Sequence, residues 1–87
     1  MEILYTSRFL RSFKKLAPQI QEDAYAAIDD FKKDTNTPKL AFHKLKGKLS
    51  KYHSFSVNYS HRVILLKEKS NATFLDIGDH SIYENFS

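Results

Sequence analysis

The chain has 87 residues, 41% of them hydrophobic, with seven Phe, five Tyr and no Cys. That length predicts one domain over residues 1–87 with room for a real core, and the missing cysteines exclude disulfide scaffolds, thiolate metal centres and thiol nucleophiles. The net charge of +4 is unevenly placed, with residues 1–38 summing to 0, residues 39–69 to +7 and residues 70–87 to −3.

Glu2 to Thr6 is a short run of β-formers and predicts a first strand. Ser7 is the candidate cap of a helix on which Phe9, Leu10, Phe13, Leu16 and Ala17 recur at helical spacing. Pro18 breaks that pattern and suits the first turn of a second helix. There Ile20, Ala24, Ala27, Ile28 and Phe31 form one stripe, and early acids (Glu22, Asp23) and late bases (Lys32, Lys33) complement the helix dipole. Asn36-Thr37-Pro38 closes this helix, and the two make an αα-hairpin. Lys39 to Lys51 reads as basic and strand-like, with Gly47 as its turn. From Tyr52 to Tyr59 the residues alternate, His53, Phe55, Val57 and Tyr59 facing one way and Ser54, Ser56 and Asn58 the other. Arg62 to Lys67 and Thr73 to Ile77 are apolar strands joined at Ser70-Asn71. After Gly78, residues His80 to Phe86 suit a last short helix or strand. The order β-α-α-β-β-β predicts an α+β fold: an N-terminal strand and αα-hairpin packed on a small, mainly antiparallel sheet.

No secretory leader opens the sequence, and no apolar run approaches the ~18 residues of a membrane span. A cytoplasmic protein without a membrane partner is the expectation. A basic middle segment bordered by neutral and acidic ones suits a surface that meets a polyanion; it equally suits a solvated Lys-rich loop.

Three constellations bear on chemistry. His43-Lys44-Leu45-Lys46-Gly47-Lys48, with Lys51 following, places Lys44, Lys46 and Lys48 on one side of an extended chain, a row able to track a phosphate backbone. Tyr52 and Phe55 lie close by as stacking surfaces for unpaired bases. The competing explanation is an edge strand blunted with Lys. His61-Arg62 opens an apolar strand, and Arg62 offers a planar, always charged fork for phosphate oxygens; the plainer alternative pairs it with Asp76 or Asp79. In Gly78-Asp79-His80-Ser81-Ile82-Tyr83, a proton-carrying His and a Tyr stand three residues apart, on one side of a helical tail; the plainer alternative is a C-terminal cap with Tyr83 in the core. A Ser–His–Asp hydrolase built from Ser81, His80 and a nearby Asp is rejected, because residues so close in sequence cannot take that geometry. The four His show no HxH or HxxxH spacing, so no metal site and no cofactor are expected. Together, a basic row, one Arg and a His/Tyr pair suit metal-independent RNA cleavage by the RNA's own 2′-OH.

With Lys44-Leu45-Lys46-Gly47, His61-Arg62-Val63-Ile64-Leu65 and Ile77-Gly78-Asp79-His80-Ser81-Ile82-Tyr83 in this order, the chain resembles the RelE/ParE superfamily of type II toxin–antitoxin toxins over nearly its whole length. Its His-x-x-Tyr ending is most similar to the RelE and YafQ-like mRNA interferases, which are ribosome-dependent endoribonucleases. The resemblance implies that Arg62 stabilises the phosphate, that His80 acts as acid or base, and that Tyr83 stacks on or polarises the substrate. It further implies that Lys44 and Lys46 serve RNA contact or catalysis and that His43 falls where YafQ-like members place a His, an RNA-binding position; Lys48 and Lys51, by their place in the basic row alone, are the further RNA-binding candidates. The implied partners are a cognate antitoxin, in a toxin–antitoxin hetero-oligomer, and mRNA on the ribosome with 16S rRNA contacts. Two rivals stand beside this reading: a ParE-like DNA gyrase inhibitor without nuclease activity, and a non-catalytic module that binds RNA or an acidic protein.

Overall fold

Thr6, not Ser7, caps the first helix in the computed structural model, which describes residues 1–86. Its Oγ1 accepts the Phe9 amide at 3.1 Å and donates to the Phe74 carbonyl at 3.0 Å, joining helix start to sheet. Such a cap contributes about 1 kcal/mol. The first strand, β1, is Glu2–Tyr5, followed by helices α1 (Ser7–Lys14) and α2 (Pro18–Lys33). Helix α1 stops short of Leu16 and Ala17, because Pro18 opens α2 and Ala17 must leave the helical region before it. Helix α2 ends at Lys33, ahead of Asn36-Thr37-Pro38. The Asp34 carboxylate accepts the Asn36 amide at 2.9 Å, and Asp34 itself is extended.

A short 3-10 helix, Pro38–Leu40, leads into β2, which is only His43–Lys44. The long basic strand expected over 39–51 is therefore absent. Ala41 turns the chain at φ 48 before β2, and a second 3-10 helix, Gly47–Leu49, follows with Gly47 at φ 65, a left-handed conformation that glycine adopts without strain. Strands β3 (His53–Ser56), β4 (Arg62–Lys67) and β5 (Asn71–Gly78) complete the sheet, and a 3-10 helix over His80–Phe86 ends the described chain. The strand order is β1-β5-β4-β3-β2; β1 runs parallel to β5 and every other pair is antiparallel. The turn between β4 and β5 falls at 68–70, closed by Glu68 N–H donating to the Asn71 carbonyl at 2.9 Å, so β5 starts two residues before the expected Thr73.

One sheet face carries the core. Ala24, Ala27, Ile28 and Phe31 of α2 and Phe9 of α1 pack on Phe55, Val63, Leu65 and Phe74. Phe31 stacks on Phe55 with ring centroids 4.8 Å apart and meets Phe74 edge-on at 5.7 Å. Burying a Phe of this kind contributes roughly 1.5–3 kcal/mol. No helix among the described residues is long and apolar enough to cross a membrane.

Candidate functional site

Register decides which side chains share the second sheet face. Ser54 lies opposite Ile64, Ile64 opposite Asp76, Ser56 opposite Arg62 and Arg62 opposite Gly78, while Phe55, Val63 and Ile77 look toward the helices. Side chains directly opposite across a sheet share a face. Arg62, Ser56, Ser54, Ile64 and Asp76 therefore form one surface, and His43, opposite Ser54, belongs to it at the β2 edge.

The C-terminal 3-10 helix crosses this surface. Ile82 is buried, and a Cβ placed on Gly78 would stand 2.6 Å from its Cγ2, so the absence of a side chain at 78 lets the tail lie down. Further along, the Tyr83 hydroxyl and the fully buried Ser54 Oγ share a hydrogen bond of 2.8 Å. Phe86 ends the crossing between Tyr52, at 5.4 Å, and the Arg8 guanidinium, 4.9 Å above its ring. Arg8 also donates from Nε to the buried Asp76 carboxylate at 3.2 Å. Helix α1 and the tail are thus fastened to the same point of β5. The unbroken apolar run Val63-Ile64-Leu65-Leu66, in place of alternation, is the sequence signal that both faces of β4 are covered.

Arg62 uses Nη1 to donate to Ser56 Oγ at 2.6 Å, and no carboxylate pairs with it among the described residues. Neither Asp76 nor Asp79 takes the pairing role weighed for it. Asp76 belongs to Arg8, and the Asp79 carboxylate accepts the Ser81 hydroxyl at 2.6 Å and the Ser81 amide at 2.9 Å. The Ser81 hydroxyl, then its amide, hold the Asp79 carboxyl below the ordinary carboxylate range, with His80 and His61 adding to the effect. His80, exposed and two residues beyond Gly78, sits at the Arg62 end of the face. Tyr83, half-buried, meets the face at Ser54 of β3. His43 donates from Nδ1 to the Ala41 carbonyl at 2.7 Å, which fixes the ring and leaves Nε2 as the free nitrogen.

The lysine row breaks after Lys46. Lys44 pairs with His53, on the helix-side face away from Arg62, and Lys46 and Lys48 lie at the start of and within the Gly47–Leu49 turn, so the extended geometry that would align them ends at Lys46. Lys46, Lys48 and Lys51 are all exposed on the loop before β3. That loop is at the Tyr52 end of the face, about 13 Å of strand from Ser56 and Arg62. Of the two aromatic platforms, Phe55 is fully buried in the core and unavailable for stacking, and Tyr52 holds Phe86, with Lys51 Nζ 5.3 Å from its ring centre. The structure thus brings Arg62, His80, Tyr83 and His43 to one face, sets Lys46, Lys48 and Lys51 at its far end, and sends Lys44 to the other side. Arg8, Ser54 and Ser56 belong to the site without a sequence signal, since each takes part only through sheet register or a contact across the whole chain. Among the described residues no group of three or more His, Cys, Asp or Glu is arranged to hold a metal ion.

A family model for the ParE-like toxin domain matches residues 18–85. No curated protein matches the chain in sequence. Solved structures share the fold: a YoeB/ParE toxin from Agrobacterium tumefaciens has a TM-score of 0.75 at 16% identity, covering 92% of this chain and 99% of its own. The RelB–RelE antitoxin–toxin complex from Methanococcus jannaschii gives 0.74 at 19% identity, over 97% and 99% of the two chains. YafQ from E. coli strain BL21(DE3) gives 0.72 at 14% identity, over 94% and 96%.

Proposed function

The chain belongs to the ParE-like toxin domain family, and from that premise we propose that it is the toxin of a type II toxin–antitoxin system that cleaves mRNA on the ribosome. The observation that carries the reading is Arg62: a guanidinium unopposed by any carboxylate among the described residues, on the sheet face that Tyr83 meets at Ser54, and opposite Gly78, two residues before His80. An Arg left unpaired on a structured strand is a ready partner for a non-bridging phosphate oxygen.

In the proposed reaction the substrate's 2′-oxygen loses its proton and attacks the neighbouring phosphorus, the bond to the 5′-oxygen breaks, and that oxygen takes a proton. The products are a 2′,3′-cyclic phosphate and a free 5′-hydroxyl. Arg62 stabilises the charge that grows on the phosphate oxygens. His80 gives the leaving oxygen its proton. Tyr83, steadied by Ser54, orients the substrate, and His43 offers Nε2 as an acceptor on the same face. Lys46, Lys48 and Lys51 hold the RNA backbone at the far end. The antitoxin partner is supported by the RelB–RelE complex and by the DinJ–YafQ toxin–antitoxin complex of E. coli, which share this fold.

Expression in a bacterial host followed by primer extension on cellular mRNA tests the reading. In-frame cuts within the codons of translated messages are expected, and His80→Gln removes them while antitoxin binding persists. A second reading, a gyrase-directed toxin without nuclease chemistry, is favoured by the ParE-like character of the matching family. Intact mRNA together with induced DNA damage selects it.

A further inference from the structure

Tyr59 is 97% exposed, more than any other large hydrophobic side chain among the described residues. The β3–β4 turn that presents it is nonetheless closed by hydrogen bonds. The Asn58 Oδ1 accepts from the Ser60 amide at 2.9 Å, the Ser60 hydroxyl at 3.0 Å and the His61 amide at 2.8 Å, and Val57 N–H donates to the His61 carbonyl at 2.9 Å. Asn58 Nδ2 then donates to the Asp23 carboxylate of α2 at 3.1 Å, anchoring the turn to the helix layer. An aromatic ring held out into water by this many bonds contributes nothing to the core.

Tyr59 stands at the edge of a groove of about 650 Å³ that runs from Arg62 and Ser56 to α2, within the ~300–1,000 Å³ typical of small-molecule clefts. Its floor is apolar at Ala27 and Leu40. Its rim carries Asp23, engaged by Asn58, and Asp30, paired with Lys39 at 3.2 Å. Carboxylates on the rim disfavour a second phosphate there, whereas a neutral, planar, polar group fits the apolar floor and can donate to the rim. The one cation of the groove not already paired is Arg62, at its mouth.

We propose that this groove is a subsite for an unpaired nucleobase next to the phosphate held by Arg62, with Tyr59 as its stacking platform. The inference rests on the endoribonuclease reading and adds to it a residue that fixes where the RNA lies. An aromatic face beside a cationic phosphate contact is the basic unit of single-strand recognition.

The test is single-turnover cleavage of a defined mRNA on programmed ribosomes, with the toxin titrated. Removing one base–aromatic stack should raise the half-saturating concentration of Tyr59→Ala roughly five- to hundredfold, with the rate at saturation nearly kept and the melting temperature unchanged. Tyr59→Phe and Tyr59→Trp should restore wild-type saturation, because stacking needs the ring and not the hydroxyl. Equal saturation by wild type and Tyr59→Ala, or failure of both aromatic variants to restore it, overturns the subsite while leaving the nuclease reading intact. A wild-type protein that cleaves nothing overturns the nuclease reading, and the subsite with it.

Discussion

The hydroxyls of Tyr83 and Ser54 meet at 2.8 Å, 29 residues apart in sequence, and pin the C-terminal 3-10 helix to β3. Ser54 is fully buried, so losing its partner leaves a buried hydroxyl without a hydrogen bond. Tyr83→Phe is expected to lower stability by about 1–3 kcal/mol. Because both substitutions delete the same bond, Tyr83→Phe with Ser54→Ala should cost much less than the sum of the singles. Urea denaturation of the four proteins measures the coupling, and additive losses would show that the bond contributes nothing.

Arg8 fastens the tail from the other side, through the buried Asp76 and the ring of Phe86. Arg8→Ala should cost about 1–2 kcal/mol, discounted for the solvent that reaches the guanidinium, since it strands a buried carboxylate. Phe86→Ala, which removes only the ring contacts, should cost less. Limited proteolysis should release the tail in the Arg8 variant well before global unfolding; simultaneous loss of tail and core contradicts the clamp.

At Gly78 there is no room for a methyl group, because Ile82 Cγ2 occupies the place. Gly78→Ala is expected to destabilise by about 1–3 kcal/mol through overpacking. Ile82→Ala clears that space, so the double variant should lose less than the two singles together. Equal stability of Gly78→Ala and wild type, read by thermal melting, would mean that the tail does not lie on Gly78.

His53 supplies a pH dependence. Its ring stacks on Phe42 at 5.0 Å, its buried Nδ1 lacks a hydrogen bond among the described residues, and burial first, then Lys44, Lys67 and His43, hold its pKa below the ordinary value. An unfolded His takes up its proton near pH ~6.5, and the folded one only at lower pH. Between those values the unfolded state binds more protons, so stability falls as the pH drops and levels off once both states are protonated. The urea midpoint of the wild type should therefore fall on acidification below about pH 6.5 more steeply than that of His53→Phe. Parallel curves for the two proteins would remove His53 as the cause.

The helices were legible because their signals are local: the Ala24-Ala27-Ile28-Phe31 stripe and Pro18 at a helix start act within a few residues. The mainly antiparallel sheet and the αα-hairpin followed from element order. What the sequence hid is non-local. Lys44 changes face because pairing with His53 sets its register, and a one-residue difference in register moves a side chain to the other side of a sheet. Asp76 chooses Arg8 over Arg62 across 68 residues of chain. Tyr59 fitted the alternation of its neighbours, yet β3 ends at Ser56 and the turn beyond it obeys its own hydrogen bonds.

On the proposed function, Arg62 stabilises the phosphate of an mRNA substrate. Single-turnover cleavage of ribosome-bound mRNA by wild type and Arg62→Ala, matched for folding by circular dichroism, measures it directly. Loss of a preorganised donor to the transition state predicts a rate lower by about 10²–10³-fold. Cleavage by Arg62→Ala within about tenfold of the wild-type rate, below that expected loss, would contradict the role of Arg62, and absence of cleavage by the wild type would contradict the account as a whole.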